Sequence, residues 1–211
     1  MPPQLLKLKK DLSNLEEIAK QTAQFLKKQA VGAIPTETFY GLATDPFSDK
    51  SLEKLFLLKN RPQHKPILLL IGEREQLYFL VEEIPPIAER LIEKFWPGPL
   101  TIVFPAKKNL SDYLTAGTGT IGIRLSSSPI VKAIVKAFGK PITGTSANLS
   151  EKPPCSSPEE VIQQLPDLDF IVDYGYLEAT SPSTVVSVVN NQLSLIRAGA
   201  IPFKNILNLF L

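Results

Sequence analysis

Three short segments of the chain carry side chains suited to holding a polyanion. Lys59-Asn60-Arg61 sets two cations two residues apart, so both can reach one phosphate chain where the backbone turns or extends. At a helix C-terminus the same pair would serve simply to offset the helix dipole. Thr143-Gly144-Thr145-Ser146-Ala147-Asn148 is a run of small hydroxyl and amide residues, whose side chains and exposed N–H groups can hold phosphate or a base without charge. Its plain structural reading is a turn closed by its own hydroxyls. In PTETFYGLATD (35–45), Thr36, Thr38 and Tyr40 surround a carboxylate, and Gly41 permits unusual backbone angles. There the alternative is a satisfied turn with Tyr40 packed in the core. Arg124 and Arg197 each stand in or beside an apolar strand pattern, where arginine needs an anion or a surface salt bridge.

Composition narrows what such segments can do. Cys155 is the only cysteine and His64 the only histidine, which removes intrachain disulfides, Cys or multi-His metal cages and a convincing Ser-His-Asp triad. Lys and Arg number 23 against 21 Asp and Glu, so any basic site must be local. The apolar run 67–71 is far short of the roughly 20 residues that cross a bilayer, and residues 1–17 do not read as a secretory signal. A cytoplasmic address without membrane attachment is expected. No GxxxxGK[ST] occurs, and GTGTIG (117–122) is not read as a dinucleotide-binding turn.

The elements that must position these residues follow from periodicity. Leu15, Ile18, Ala19, Thr22, Phe25 and Leu26 predict a helix to about Gln29, with Ser13 and Glu16 at capping-box spacing. A strand at 31–34 leads into the 35–45 loop, and Asp49 is placed to cap a helix that ends near Lys59. Strands are expected at 67–71, 100–104, 120–125, 141–143, 170–173, 184–189 and 193–196. Helices are expected from Pro85-Pro86, from Pro129 to Gly139, and from the capping box SPEE (157–160). Alternating elements early and successive strands late predict one α/β domain over 1–211, with a twisted mixed parallel/antiparallel sheet and flanking helices. The segments LLKLKKDL (5–12) and ILNLFL (206–211) receive no assignment beyond core packing of the latter.

Taken in order, PTETFYGLATD (35–45), LKNRPQHKPILLL (58–70), FWPGPLTIVFPA (95–106), GIRLSSSP (122–129), GKPITGTSANLS (139–150), PSTVVSV (182–188) and IRAGAI (196–201) resemble the threonylcarbamoyl-AMP synthase, or YrdC-like, family across about residues 24–201. The resemblance, to the short single-domain type, implies a nucleotidyltransferase. It would form L-threonylcarbamoyladenylate and pyrophosphate from L-threonine, bicarbonate or CO2, and ATP, with Mg2+ arriving on the ATP. A downstream transferase would move the threonylcarbamoyl group to a tRNA adenosine beside the anticodon, with direct tRNA or RNA contact possible in principle. The same resemblance assigns Lys59, Arg61, Ser146 and Asn148 to the reacting phosphates and carbamate. It assigns Lys65, Thr120, Pro154 and Arg197 to the nucleotide, and Thr36, Thr38, Tyr40, Arg124, Gly144 and Ser183 to threonine. Leu70, where some longer relatives have histidine, and Gly144, where Ser or Ala is frequent, depart from the pattern. Two rival readings are a non-catalytic RNA-binding module gripping a phosphate backbone and a related carbamoyl-adenylating enzyme with another acceptor, as in hydrogenase maturation.

Overall fold

The computed structural model describes residues 2–211. In chain order the elements are β1 (Gln4–Lys7), α1 (Leu15–Lys27), β2 (Gly32–Pro35), β3 (Tyr40–Ala43), α2 (Asp49–Lys59), β4 (Leu69–Ile71), α3 (Pro86–Phe95), β5 (Leu100–Pro105), α4 (Asp112–Thr115), β6 (Thr120–Leu125), α5 (Pro129–Phe138), β7 (Ile142–Thr143), β8 (Thr145–Ser146), α6 (Pro158–Gln164), β9 (Phe170–Asp173), β10 (Thr184–Ser187), β11 (Ser194–Arg197) and α7 (Phe203–Leu207), with 3-10 turns at Arg74–Phe79 and Val189–Asn191. The mixed α/β class read from the sequence is the class observed. Its strands divide between a five-stranded sheet ordered β1-β9-β2-β3-β8 and a six-stranded sheet ordered β11-β10-β5-β6-β4-β7, each combining parallel and antiparallel pairs.

The two sheets meet where the chain passes from β7 to β8 through Gly144. Thr143 fastens the crossing: its hydroxyl donates to Leu42 O at 2.8 Å and accepts from Thr44 N at 3.0 Å. Gly144 N donates to Leu68 O at 3.0 Å. Strand alternation sends neighbouring side chains to different cores. Leu69 and Ile71 enter the larger one, whereas Leu70 joins the layer formed with α1 and α5. All three are fully buried. Burying a leucine-sized side chain is favourable by roughly 1.5–3 kcal/mol, so the register of β4 is strongly fixed.

Helix ends confirm some sequence signals and correct others. Ser157 caps α6 by accepting from Glu160 N, and Glu160 reaches back to Ser156 N at 2.7 Å. Pro at the first position supports α3, α5 and α6. The Ser13 box does not form. Asn14 occupies the cap position of α1, and its side chain instead accepts from Lys9 N and donates to Lys7 O. Ser48, not Asp49, caps α2. Two segments without an assignment prove structural: β1 pairs parallel to β9, and Ile206 in α7 is fully buried while Leu207 stays exposed. GTGTIG does carry G-x-G-x-x-G spacing, but it leads from α4 into β6 rather than from a strand into a helix, so it lacks the context of a dinucleotide turn.

Candidate functional site

Between the two sheets lies a cleft of about 450 Å3. Of the residues expected at the site, all but Lys59 and Lys65 line it. Its wall includes the side chains of Arg61, Arg124, Lys152 and Arg197, and no Asp or Glu among the described residues. A local basic site therefore exists despite a formal charge of only +2 over the whole chain.

The basic pair behaves differently from a free pair of cations. Asn60 adopts a left-handed conformation (φ 49°, ψ 48°) that ends α2 and turns the chain, with Arg61 N donating to Phe56 O. Lys59, the last helical residue, is only 2% exposed. Its ammonium donates to Ser146 O at 2.6 Å, Asn148 O at 2.8 Å and Asn148 Oδ1 at 2.9 Å. Lys59 thus fixes the 146–148 loop from behind and does not border the cleft. Burial above all, helped by the nearby Arg61 charge, brings its amine down to about 7. Arg61 reaches the cleft wall, and its guanidinium donates to Lys65 O at 3.1 Å, Pro66 O at 2.6 Å and Thr145 Oγ1 at 3.4 Å. Both cations converge on one loop, Lys59 beneath it and Arg61 beside it. Lys65 contributes its carbonyl to Arg61, while its own amine lies 3.9 Å from Glu151.

The loop held this way presents polar atoms at close range. Ser146 Oγ donates to Asn148 Oδ1 at 2.5 Å, and Asn148 Nδ2 donates to Leu149 O and Lys152 O at 2.7 and 2.6 Å. Thr120 and Pro154 complete this side of the cleft.

At the other end, Arg124 is 3% exposed in β6 and donates to Thr38 Oγ1 at 3.2 Å. Glu37 Oε1 lies 3.4 Å from Arg124 Nη1, within ion-pair distance but without hydrogen-bond alignment, and Arg124 Nε has no partner among the described residues. The second Glu37 oxygen accepts from Ser126. A buried guanidinium so incompletely satisfied calls for another acceptor. Arg197 on the exposed strand β11 folds its guanidinium over Ser183, donating to Ser183 O at 2.9 Å and Ser183 Oγ at 3.0 Å. Partial desolvation and then the Arg124 charge lower its pKa. Two guanidinium groups close enough to feel each other favour an anion between them.

Tyr40 lines the cleft but engages its hydroxyl elsewhere in the protein. It is fully buried, its hydroxyl donates to Gly175 O at 2.8 Å and accepts from Tyr174 N at 3.2 Å, and burial pushes its pKa up. Thr36 likewise spends its hydroxyl on Phe39 O and Thr38 N. The two departures at Leu70 and Gly144 prove to be one feature. A Cβ at Gly144 would overlap Leu70 Cγ and come within 2.9 Å of Leu68 Cδ1, so leucine at 70 leaves room only for glycine at 144. Cleft residues that the sequence reading missed include Thr101 and Lys152, while Thr145, part of the 143–148 run, also lines it. A cation four residues after Asn148 in a proline-rich turn was the only available signal for Lys152.

The Sua5/YciO/YrdC family profile, described as "Telomere recombination", matches residues 24–199. Threonylcarbamoyl-AMP synthase of Vibrio parahaemolyticus is 39% identical over 149 residues, covering 70% of this chain and 80% of the relative. The enzymes of the same name from Pyrococcus abyssi and Bacillus subtilis are 33% and 35% identical, covering 87% and 93% of this chain. The chain spans only 54% and 57% of the length of those two relatives. Among solved structures, Pyrococcus abyssi Sua5 complexed with L-threonine superposes with a TM-score of 0.92 at 30% identity, covering 97% of this chain and 60% of that one. Escherichia coli YciO shares the fold, with a TM-score of 0.85 at 24% identity and coverage of 97% and 99%. With the profile spanning most of the sequence and the seven ordered motifs surrounding one cationic cleft, the chain belongs to the Sua5/YciO/YrdC family.

Proposed function

We propose that this chain is a nucleotidyltransferase that makes L-threonylcarbamoyladenylate from L-threonine, bicarbonate or CO2, and ATP, releasing pyrophosphate. The observation that carries this reading is the cleft between the sheets, with four cationic side chains and no carboxylate on its wall among the described residues. That charge suits a nucleoside triphosphate, and the buried, under-satisfied Arg124 suits a carboxylate. The reading is supported further by the threonine-complexed relative of the same fold.

In the proposed reaction the threonine amine donates its lone pair to the carbon of CO2, giving a carbamate, and the amine proton leaves to solvent. A carbamate oxygen then attacks the α-phosphorus of ATP. The Pα–O bond to the β-phosphate breaks in line, and pyrophosphate departs with the bonding pair. Charge develops on phosphoryl oxygens, where Arg61 and the Ser146–Asn148 hydrogen-bonding loop would stabilise it. Arg124 and Thr38 would orient the amino acid so that its amine faces the reacting carbon. Lys59 acts at one remove, by fixing the loop.

Among the described residues no group of three His, Cys, Asp or Glu is placed to hold a metal. The donor set of the cleft does not fit a resident ion, so Mg2+ would enter on the phosphates and keep its waters. The product is a mixed anhydride, and transfer of its acyl group to a tRNA adenosine by a second enzyme is the proposed fate. A cytoplasmic setting fits that role, and among the described residues no helix is long and apolar enough to cross a membrane.

Pyrophosphate release is measured with and without L-threonine and bicarbonate, and the adenylate is identified by mass before it hydrolyses. Release that depends on both, with threonylcarbamoyl-AMP present, supports the reading. Folded protein that binds RNA in a salt-sensitive way and releases no pyrophosphate would replace it with the RNA-binding module. Threonine-independent adenylation would point to another acceptor.

A further inference from the structure

Of the four cations that line the cleft, three are already engaged by the protein. Arg61 is held by two carbonyls and a hydroxyl, Arg124 by Glu37 and Thr38, and Arg197 by Ser183. Lys152 differs. Its residue is exposed on the cleft wall, and among the described residues no acceptor or carboxylate pairs with its ammonium. Its backbone is nevertheless fixed. Lys152 N donates to Leu149 O at 3.1 Å, and Lys152 O accepts from Asn148 Nδ2 at 2.6 Å. The preceding Glu151 has a left-handed φ of 71° and turns its carboxylate toward Lys65, 3.9 Å away, while Lys152 faces the cleft. A positionally fixed backbone with an unpaired, exposed amine beside Ser146 and Asn148 is the arrangement expected of a point-charge phosphate ligand.

We propose that Lys152 is a polyphosphate-binding residue of the cleft, contacting the nucleotide's β- and γ-phosphates and the departing pyrophosphate. This rests on the nucleotide-binding function proposed above. Lys152 takes the role for which Lys65 was the sequence-level candidate, since Lys65 lies outside the cleft and faces Glu151. The Asn148 amide ties the new ligand to the reacting loop, so that phosphates gripped by Lys152 are held in register with Ser146.

The test uses the full chain and inorganic tripolyphosphate, measured by calorimetry as a function of salt, for wild type, Lys152→Gln, Lys152→Arg and the off-cleft control Lys20→Gln. Lys152→Gln should weaken tripolyphosphate about tenfold and lessen the dependence of affinity on salt, because one fewer charge–charge attraction is left for salt to screen. Lys152→Arg should restore both, and Lys20→Gln should change neither. In steady-state kinetics Lys152→Gln should raise the ATP KM while leaving the threonine KM unchanged. Equal affinity and equal salt slope in wild type and Lys152→Gln would overturn the assignment. So would absence of tripolyphosphate binding by the wild type. Tripolyphosphate bound through Lys152, without threonine-dependent pyrophosphate release, would leave this subsite standing and refute the proposed reaction alone.

Discussion

The most exacting test of the site concerns Lys59, a buried cation that three loop oxygens surround. Burial brings the amine from its ordinary 10.5 down to about 7. A base whose folded-state pKa lies below its unfolded value is protonated in the unfolded chain and neutral in the folded one between those two pH values. The unfolded state then binds one more proton, so stability rises with pH across the window from about 7 to 10.5. One proton corresponds to about a tenfold gain in the folding constant per pH unit, hence on the order of a thousandfold over three units. Lys59→Met keeps much of the apolar stem and abolishes the titration. Urea unfolding of both proteins at pH 7, 8, 9 and 10 gives the difference in stability, in which all shared titrations cancel. Wild type should gain on the variant steadily as pH rises. Parallel curves would refute the reasoning and mean that the three oxygens at 2.6–2.9 Å hold the ammonium charged throughout. In either case Lys59→Met should raise the ATP KM by loosening the 146–148 loop, and hydrogen exchange at Asn148 and Ser150 reads that loosening directly.

Three further outcomes follow from contacts around the cleft. Gly144→Ala should cost about 1–3 kcal/mol, as expected for overpacking, and Leu70→Ala in the same chain should recover part of that loss, a coupling that thermal unfolding of the double-mutant cycle would reveal. Arg124→Lys keeps the charge beside Glu37 but loses the planar fork, so it should raise the threonine KM about tenfold or more with the ATP KM unchanged; an unchanged threonine KM removes Arg124 from that site. Tyr40→Phe deprives Gly175 O and Tyr174 N of their partner, costing about 1 kcal/mol, and should speed hydrogen exchange at residues 174–176 without altering ATP affinity.

The motifs were legible because they depend on residue type, whereas their roles depended on direction. Arg61, Ser146, Asn148 and Arg124 could be chosen from cations and small polar residues at element ends, and all four face one cleft. Lys59 belonged to the same motif, but it ends α2 and the left-handed Asn60 after it turns Arg61 away from it to another side of the loop, and spacing alone does not encode that turn. Tyr40 could be read as ligand or core, and the partners of its buried hydroxyl lie in the 174–175 segment, more than 130 positions away in sequence, beyond the reach of local pattern. The loop at 35–45 contains β3 because its residues pair with β2 and β8, partners that local pattern cannot supply. Likewise β1 forms only through its parallel neighbour β9. The capping signals failed where a neighbour competed: Asn14 turned its amide to the backbone of Lys7 and Lys9. Leu70 and Gly144 looked like two independent oddities until their shared volume joined them.

A wall bearing, among the described residues, four positive groups and no negative ones does not distinguish a triphosphate that arrives from a diphosphate that must leave. Under the proposed chemistry the bond broken in the reaction frees a polyanion into the very field that attracted its parent. Departure of pyrophosphate, rather than adenylation, would then set the pace of turnover. The enzyme would stall as this by-product accumulates, and recover when a phosphatase removes it or when rising ionic strength weakens its hold.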